Sequence, residues 1–123
     1  MAQAAIRTAE PAAPVTPAID RDHLKRVTFG DASLEHELLQ LFDRQSELLL
    51  ARMRAGDPAT VATLAHTLKG SACGIGADHV AQAAHAAEEA AALTAADIAA
   101  ALDRLAQAAD ETRAQIAVLL HTH

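Results

Sequence analysis

From Asp20 onward, apolar residues recur every three or four positions, with no alternating run that makes a convincing strand, so the pattern predicts one helix after another. Asp20 is placed to cap a short first helix reaching about Phe29, with Gly30 ending it. Asp31 can cap the second, along which Leu34, Leu38, Leu41, Phe42, Leu48 and Leu49 recur at helical spacing. Gly56-Asp57-Pro58 combines a stop, an N-cap and a proline suited to the first helical position. The third helix then runs to about Cys73 or Gly74, and Gly76 marks the turn. A fourth covers roughly Ala77 to Ala92. Thr94 and Asp97 resemble a capping box that opens the fifth, with Ile98, Leu102, Leu105, Ala109, Ile116 and Leu119 as its apolar stripe. Short connections favour antiparallel neighbours. The predicted fold is all-α: an up-and-down antiparallel four-helix bundle with a short additional N-terminal helix laid across it.

The third helix separates two kinds of position. With Val61 as the zero of a helical wheel, Leu64, Ala65, Leu68, Ala72 and Ile75 fall within about 60° and form the buried stripe. His66 lies near 140°, clear of it, with Lys69 flanking at about 80°. Thr63, Gly70 and Cys73 share the side of His66. An imidazole pointing away from the core, with a cation three residues on and a glycine four residues on, describes a surface site. Glycine inside a helix costs about 1 kcal/mol relative to alanine, and this chain uses alanine almost everywhere it can. Gly70 is therefore read as a deliberate lack of bulk that lets another protein's backbone approach His66, and Gly74 as an aid to helix termination.

Size and composition narrow the classes. The 123 residues suffice for one domain and one core. With two Phe and no Trp or Tyr, that core must be built from Leu, Ile, Val and Ala, with little aromatic surface for stacking sugars or bases. A net charge of −6 argues against nucleic acid, which requires a basic face. Lone Cys73 excludes an internal disulfide and agrees with a reducing cytoplasm. Residues 1–18 mix Ala and Pro and include Glu10, which reads as a disordered tail, not a targeting segment. No run of 18 apolar residues exists to span a membrane. The domain is expected over 19–120, with a frayed end at 121–123, as a monomeric, free-standing, cytoplasmic protein.

The segment AHTLKGSACGIGADHVAQAAHAAEEA, residues 65–90, resembles the signature of histidine-containing phosphotransfer (HPt) domains. That signature has a phosphoacceptor His, a Lys-Gly pair three and four residues on, a Gly ten on and a Gln or Glu some 22 on. Here these are His66, Lys69, Gly70, Gly76 and Glu88. The likeness covers most of residues 20–120; Val80 stands where Leu is common, and Gly74 replaces a more usual polar residue. The resemblance implies a relay: His66 accepts a phosphoryl group from a receiver-domain phospho-aspartate and donates it to another receiver's Asp. It further implies receiver domains, a hybrid histidine kinase, or both, as partners, and no autonomous kinase activity. Lys69 is the candidate to stabilise the phosphoryl oxygens. Glu88 is the candidate to accept a hydrogen bond from the other ring nitrogen. No intrinsic cofactor or metal is expected, since the Mg²⁺ of such transfers comes from the receiver.

Docking is assigned to Gly70, Thr63, Cys73 and Leu39, with Leu50 a second apolar candidate at the edge of the wide face of the second helix. His23, His36, His79 and His85 share no spacing that puts them on one face and read as surface residues; His121 and His123 sit at the frayed end. Two other classes compete. One is an adaptor that binds receivers or kinases without carrying phosphate, which the intact His66 and Lys69 disfavour. The other is a ferritin-like metal bundle, which needs inward Glu and Glu-x-x-His ligands that the sequence lacks.

Overall fold

A computed structural model describes residues 17–121. Most of the predicted 1–18 tail, and the end of the chain including His123, lie outside the described residues. Five helices follow in order: α1 (Arg21–Val27), α2 (Ala32–Ala55), α3 (Pro58–Ile75), α4 (Asp78–Ala90) and α5 (Ala95–His121). There is no strand among the described residues.

Local chemistry explains the boundaries. Asp20, Asp31 and Asp57 each accept a hydrogen bond from the backbone N–H three residues on, at 3.1, 3.1 and 2.8 Å, satisfying donors that the first helical turn leaves open. Pro58 follows Asp57 at the start of α3, where its missing N–H costs nothing. At α5 the Thr94 hydroxyl accepts from the Asp97 N–H at 3.1 Å and the Asp97 carboxylate accepts from the Thr94 N–H at 3.2 Å, a reciprocal box.

The helices pack as a ring of neighbours, in which α3 meets α4 over the largest interface, α4 meets α5, and α2 meets both α3 and α5. Two ion pairs give the relative direction of α2 and α5. Arg54, late in α2, meets Asp103, early in α5, at 3.0 Å, whereas Asp43 meets Arg113, further along α5, at 2.8 Å. The order is reversed, so these two helices run antiparallel. The core is aliphatic: Leu39, Phe42, Met53, Leu68, Leu105 and Ile116 are almost wholly buried, and alanines fill the rest. Burial of each large side chain stabilises by about 1.5–3 kcal/mol. The buried polar residues are Thr28, Ser46 and Thr112, each bonded to a backbone carbonyl of its own helix or its cap.

The short α1 is tied to the end of α3. The Asp20 N–H donates to the Gly76 carbonyl at 2.8 Å, and His23 Nε2 meets the Gly74 carbonyl at 3.1 Å. Beneath them Ile19 is fully buried, and its N–H donates to Gln115 Oε1 of α5 at 3.2 Å.

Four expectations change. First, α1 stops at Val27, earlier than Phe29, because Phe29 and Gly30 are both left-handed, with φ of 55° and 74°. Second, the buried stripe of α2 is Leu39, Phe42, Ser46, Leu49 and Met53. Leu39, assigned to docking, is therefore core, whereas Leu41 and Leu48 are more than half exposed and Leu50 only partly buried against the core. Seven leucines cover much of the circumference of α2, so apolar residues alone do not phase it. Ser46 joins the buried face because its hydroxyl donates to the Asp43 carbonyl at 3.1 Å. Third, Gly74 does not terminate α3. The helix continues through Ile75, and Gly76 caps it at φ 77° while the Ala77 N–H donates back to the Ala72 carbonyl at 2.8 Å. Fourth, His23, His36 and His79 are half-buried; among the four internal histidines read as surface residues, His85 is exposed.

The two glycines should separate in a stability measurement. A Cβ at Gly76 would sit 3.0 Å from the Asp20 carbonyl oxygen in a left-handed conformation, whereas one at Gly74 meets nothing within 4 Å. In urea unfolding, Gly76→Ala should lose at least about 1–2 kcal/mol, and Gly74→Ala should gain up to about 1 kcal/mol. Equal midpoints for the two variants would contradict this assignment of the cap.

Candidate functional site

The α3–α4 interface is lined by small side chains. Ala65 and Ala72 of α3, and Ala84 and Ala87 of α4, are completely buried. Alanine lets helix axes approach closely, so side chains at the rim of the interface reach across it. His66 and Lys69 stand on the rim of α3, with His85 and Glu88 on the rim of α4.

Glu88 joins them. One carboxylate oxygen lies 3.0 Å from His66 Nδ1, and the other accepts from Lys69 Nζ at 3.0 Å. The His66 side chain is 68% exposed, whereas those of Lys69 and Glu88 are only about 30% exposed. The imidazole thus stands outward with its Nδ1 edge against the protein. The hydrogen bond from the Lys69 ammonium, first, and then the charges of Lys69 and His66 hold the Glu88 carboxyl below its ordinary range. An ionised carboxylate only accepts hydrogen bonds, so the His66 nitrogen beside it carries the proton. In the neutral ring this leaves the lone pair on Nε2, the nitrogen away from Glu88. A neutral imidazole with an exposed lone pair is a nucleophile, and a nearby ammonium can stabilise an anionic group delivered to it.

The surroundings are open. Thr63, Thr67 and Ala62 share a shallow recess with His66 and Glu88. Cys73 is an exposed free thiol. Gly70 lies inside α3, and a Cβ built there meets nothing within 4 Å; the same holds for Gly74. No neighbouring atom crowds either position, so steric space within the described chain does not call for a glycine at Gly70 or Gly74. Gly74 also lines an apolar groove with Val27, Leu38, Leu41 and Ile75. Leu39, being core, contributes nothing to this face. Among the described residues, no group of three or more His, Cys, Asp or Glu side chains could hold a metal ion, and none of the buried residues is a carboxylate.

One site residue was missed in the sequence. His85 Nδ1 lies 3.4 Å from Lys69 Nζ, and its Nε2 lies 3.5 Å from Glu89. Its position one turn before Glu88 puts the two on one face of α4, a signal that was readable once Glu88 had been singled out.

A family model for the Hpt domain matches residues 34–122. No curated protein and no solved structure matches the chain.

The ion pair makes a pH-dependent contribution with a definite sign. Because the carboxyl of Glu88 is held below its ordinary value of 4.5, its pairing stabilises fully above that value and is lost as pH falls through the lowered one. The stability difference between wild type and Lys69→Met, measured by urea unfolding, should be constant down to about pH 4.5 and shrink below it. A difference that stays flat into strong acid would rule out this pairing.

Proposed function

The chain belongs to the Hpt domain family, and on that premise we propose that His66 carries a phosphoryl group between the aspartates of receiver domains. Membership implies histidine phosphotransfer in two-component signalling, with receiver or kinase components as partners. The residue roles rest on a single observation, the bridging of His66 and Lys69 by one Glu88 carboxylate.

The chemistry proceeds from that bridge. Nε2 attacks the phosphorus of a receiver phospho-aspartate in line with the acyl oxygen, which leaves with its electron pair as a carboxylate. Nδ1 keeps its proton against Glu88, so the tautomer that attacks is also the one that later releases the group. The Lys69 ammonium has three N–H donors. Glu88 and His85 occupy two directions, and a third is available to a phosphoryl oxygen. A docked receiver excludes water and strengthens that interaction relative to the open surface. The reverse reaction passes the group to a second receiver's Asp. The Mg²⁺ used in transfer belongs to the receiver's acidic pocket.

Gly70, one turn beyond His66, and the groove containing Gly74, Leu38 and Leu41 form the surface we assign to the receiver. The groove supplies apolar footing, and Gly74, which lines it, lies one helical turn beyond Gly70 on α3. Leu41 takes the place that the sequence reading had given to Leu39. We also read α2–α5 as an up-and-down bundle, a reading supported by the reversed order of the two α2–α5 ion pairs. No helix among the described residues is long and apolar enough to cross a membrane.

Two experiments test the proposal. Incubated with phosphorylated receivers, wild type should take up acid-labile, base-stable label and His66→Gln none. Label on the variant, or none on wild type with any receiver of the source organism, would leave an adaptor that binds without carrying phosphate. Gly70→Ala should be more stable by up to about 1 kcal/mol, yet transfer on the order of tenfold or more slowly, because the added methyl displaces the docked receiver. Faster or unchanged transfer would remove Gly70 from the interface.

A further inference from the structure

The outer face of α2 has a line of leucines that the bundle leaves uncovered. Leu34, Leu41 and Leu48 stand seven residues apart and are 36%, 54% and 57% exposed. At about 100° per residue, a step of seven returns to within about 20° of the same direction, so the three form one narrow ridge. Single apolar residues scattered over a surface need no explanation. A ridge at this spacing has the period at which two helices interlock.

The charges beside the ridge are also unused. On one flank Glu37 and Arg44 are both exposed, and neither side chain has an ion pair or hydrogen bond among the described residues. The charges of α2 that face α5 differ: Asp43 and Glu47 pair with Arg113, and Arg54 pairs with Asp103.

We propose that this ridge is a contact between two copies of the chain, packed antiparallel about a two-fold axis at Leu41. Leu41 then meets its own counterpart. Leu34 meets Leu48 of the second copy, and the reverse, because both lie seven residues from the centre. Glu37 lies four residues before Leu41 and Arg44 three after it, so across the antiparallel contact they come level to within about 1.5 Å. A two-fold axis perpendicular to both helices keeps each flank opposite the same flank of the other copy. Glu37 of each copy therefore faces Arg44 of the other, giving two ion pairs. Parallel pairing would set Glu37 against Glu37 and Arg44 against Arg44. The face is self-complementary in one orientation only.

Three leucines per copy, along about 21 Å of helix, make a small interface, so the dimer is weak and reversible. It replaces the monomer expected of a single bundle. Leu41 also lines the groove assigned to the receiver. On the carrier reading given above, a paired chain has that surface covered, and the second copy and the receiver compete for it.

Sedimentation equilibrium of the full chain at low ionic strength, from about 1 μM to about 1 mM, tests the pairing. The mass of wild type should rise from one chain toward two. Leu41→Glu sets a charge against its own image and should stay at one chain throughout. Leu93→Glu, at an exposed leucine of the α4–α5 connection, should match wild type. The charges test the orientation. Arg44→Glu alone and Glu37→Arg alone should each pair on the order of tenfold more weakly, and an equimolar mixture of the two should recover the wild-type affinity. A single-chain mass for wild type at every concentration would overturn the proposal, whether the face then takes another protein or residues 1–16 of its own chain. A mixture no tighter than its components would overturn the antiparallel contact. Per chain, phosphotransfer from labelled wild type to a receiver should slow as concentration rises into the dimer range, and that from Arg44→Glu should stay constant; identical trends would overturn the competition. Failure of wild type to take up label at all would instead bring down the carrier reading and leave the pairing to stand on its masses.

Discussion

The close approach of α3 and α4 through buried alanines is the constraint on which the site depends. Side chains on separate helices can share a carboxylate only if their backbones are near, and Ala65, Ala72, Ala84 and Ala87 provide that nearness by contributing so little bulk. Glu88 can then touch the imidazole with one oxygen and the ammonium with the other. A larger residue at any of these positions would push the helices apart. His66 and Lys69 would still lie on one side of α3, but without a common anion to organise them.

The rest of the fold serves that interface and the surface above it. Helix α5 packs on α4, and α2 braces α3 from the other side. The α1 segment clasps the end of α3 through backbone bonds at Gly76 and a histidine contact at Gly74. This clasp matters because α3 contains two glycines with open space around them, and a helix weakened at Gly70 and Gly74 gains from being held at its end. Stability and exposure are thus divided along one helix. One face is packed against its neighbours through Val61, Ala65, Leu68 and Ala72, and the other is left bare beside a reactive ring.

Much of this was legible in the chain. Asp20, Asp31, Asp57 and Thr94 announced helix starts because capping is a local interaction between residues three apart, and the structure places all four at helix starts. The outward position of His66 followed from the phase of α3, where alanine and leucine define a narrow stripe. The α2 stripe was misjudged for the opposite reason. Leucines all round a helix hold no phase, and the choice of Leu39 over Leu41 is made by how α2 is turned against its neighbours α3 and α5. Gly74 was misread because a glycine near a helix end resembles a stop, whereas the left-handed residue is Gly76.

By itself the sequence determined the helices, the family and the identity of the exposed imidazole, all of which depend on interactions within a few residues or on a contiguous motif. Tertiary structure alone decided that Glu88 spans His66 and Lys69, that His85 joins them, and that Leu41 and not Leu39 faces outward. Those outcomes depend on the distance and rotation between helices. These are set by how the side chains of two surfaces interlock, and no single stretch of chain contains that information.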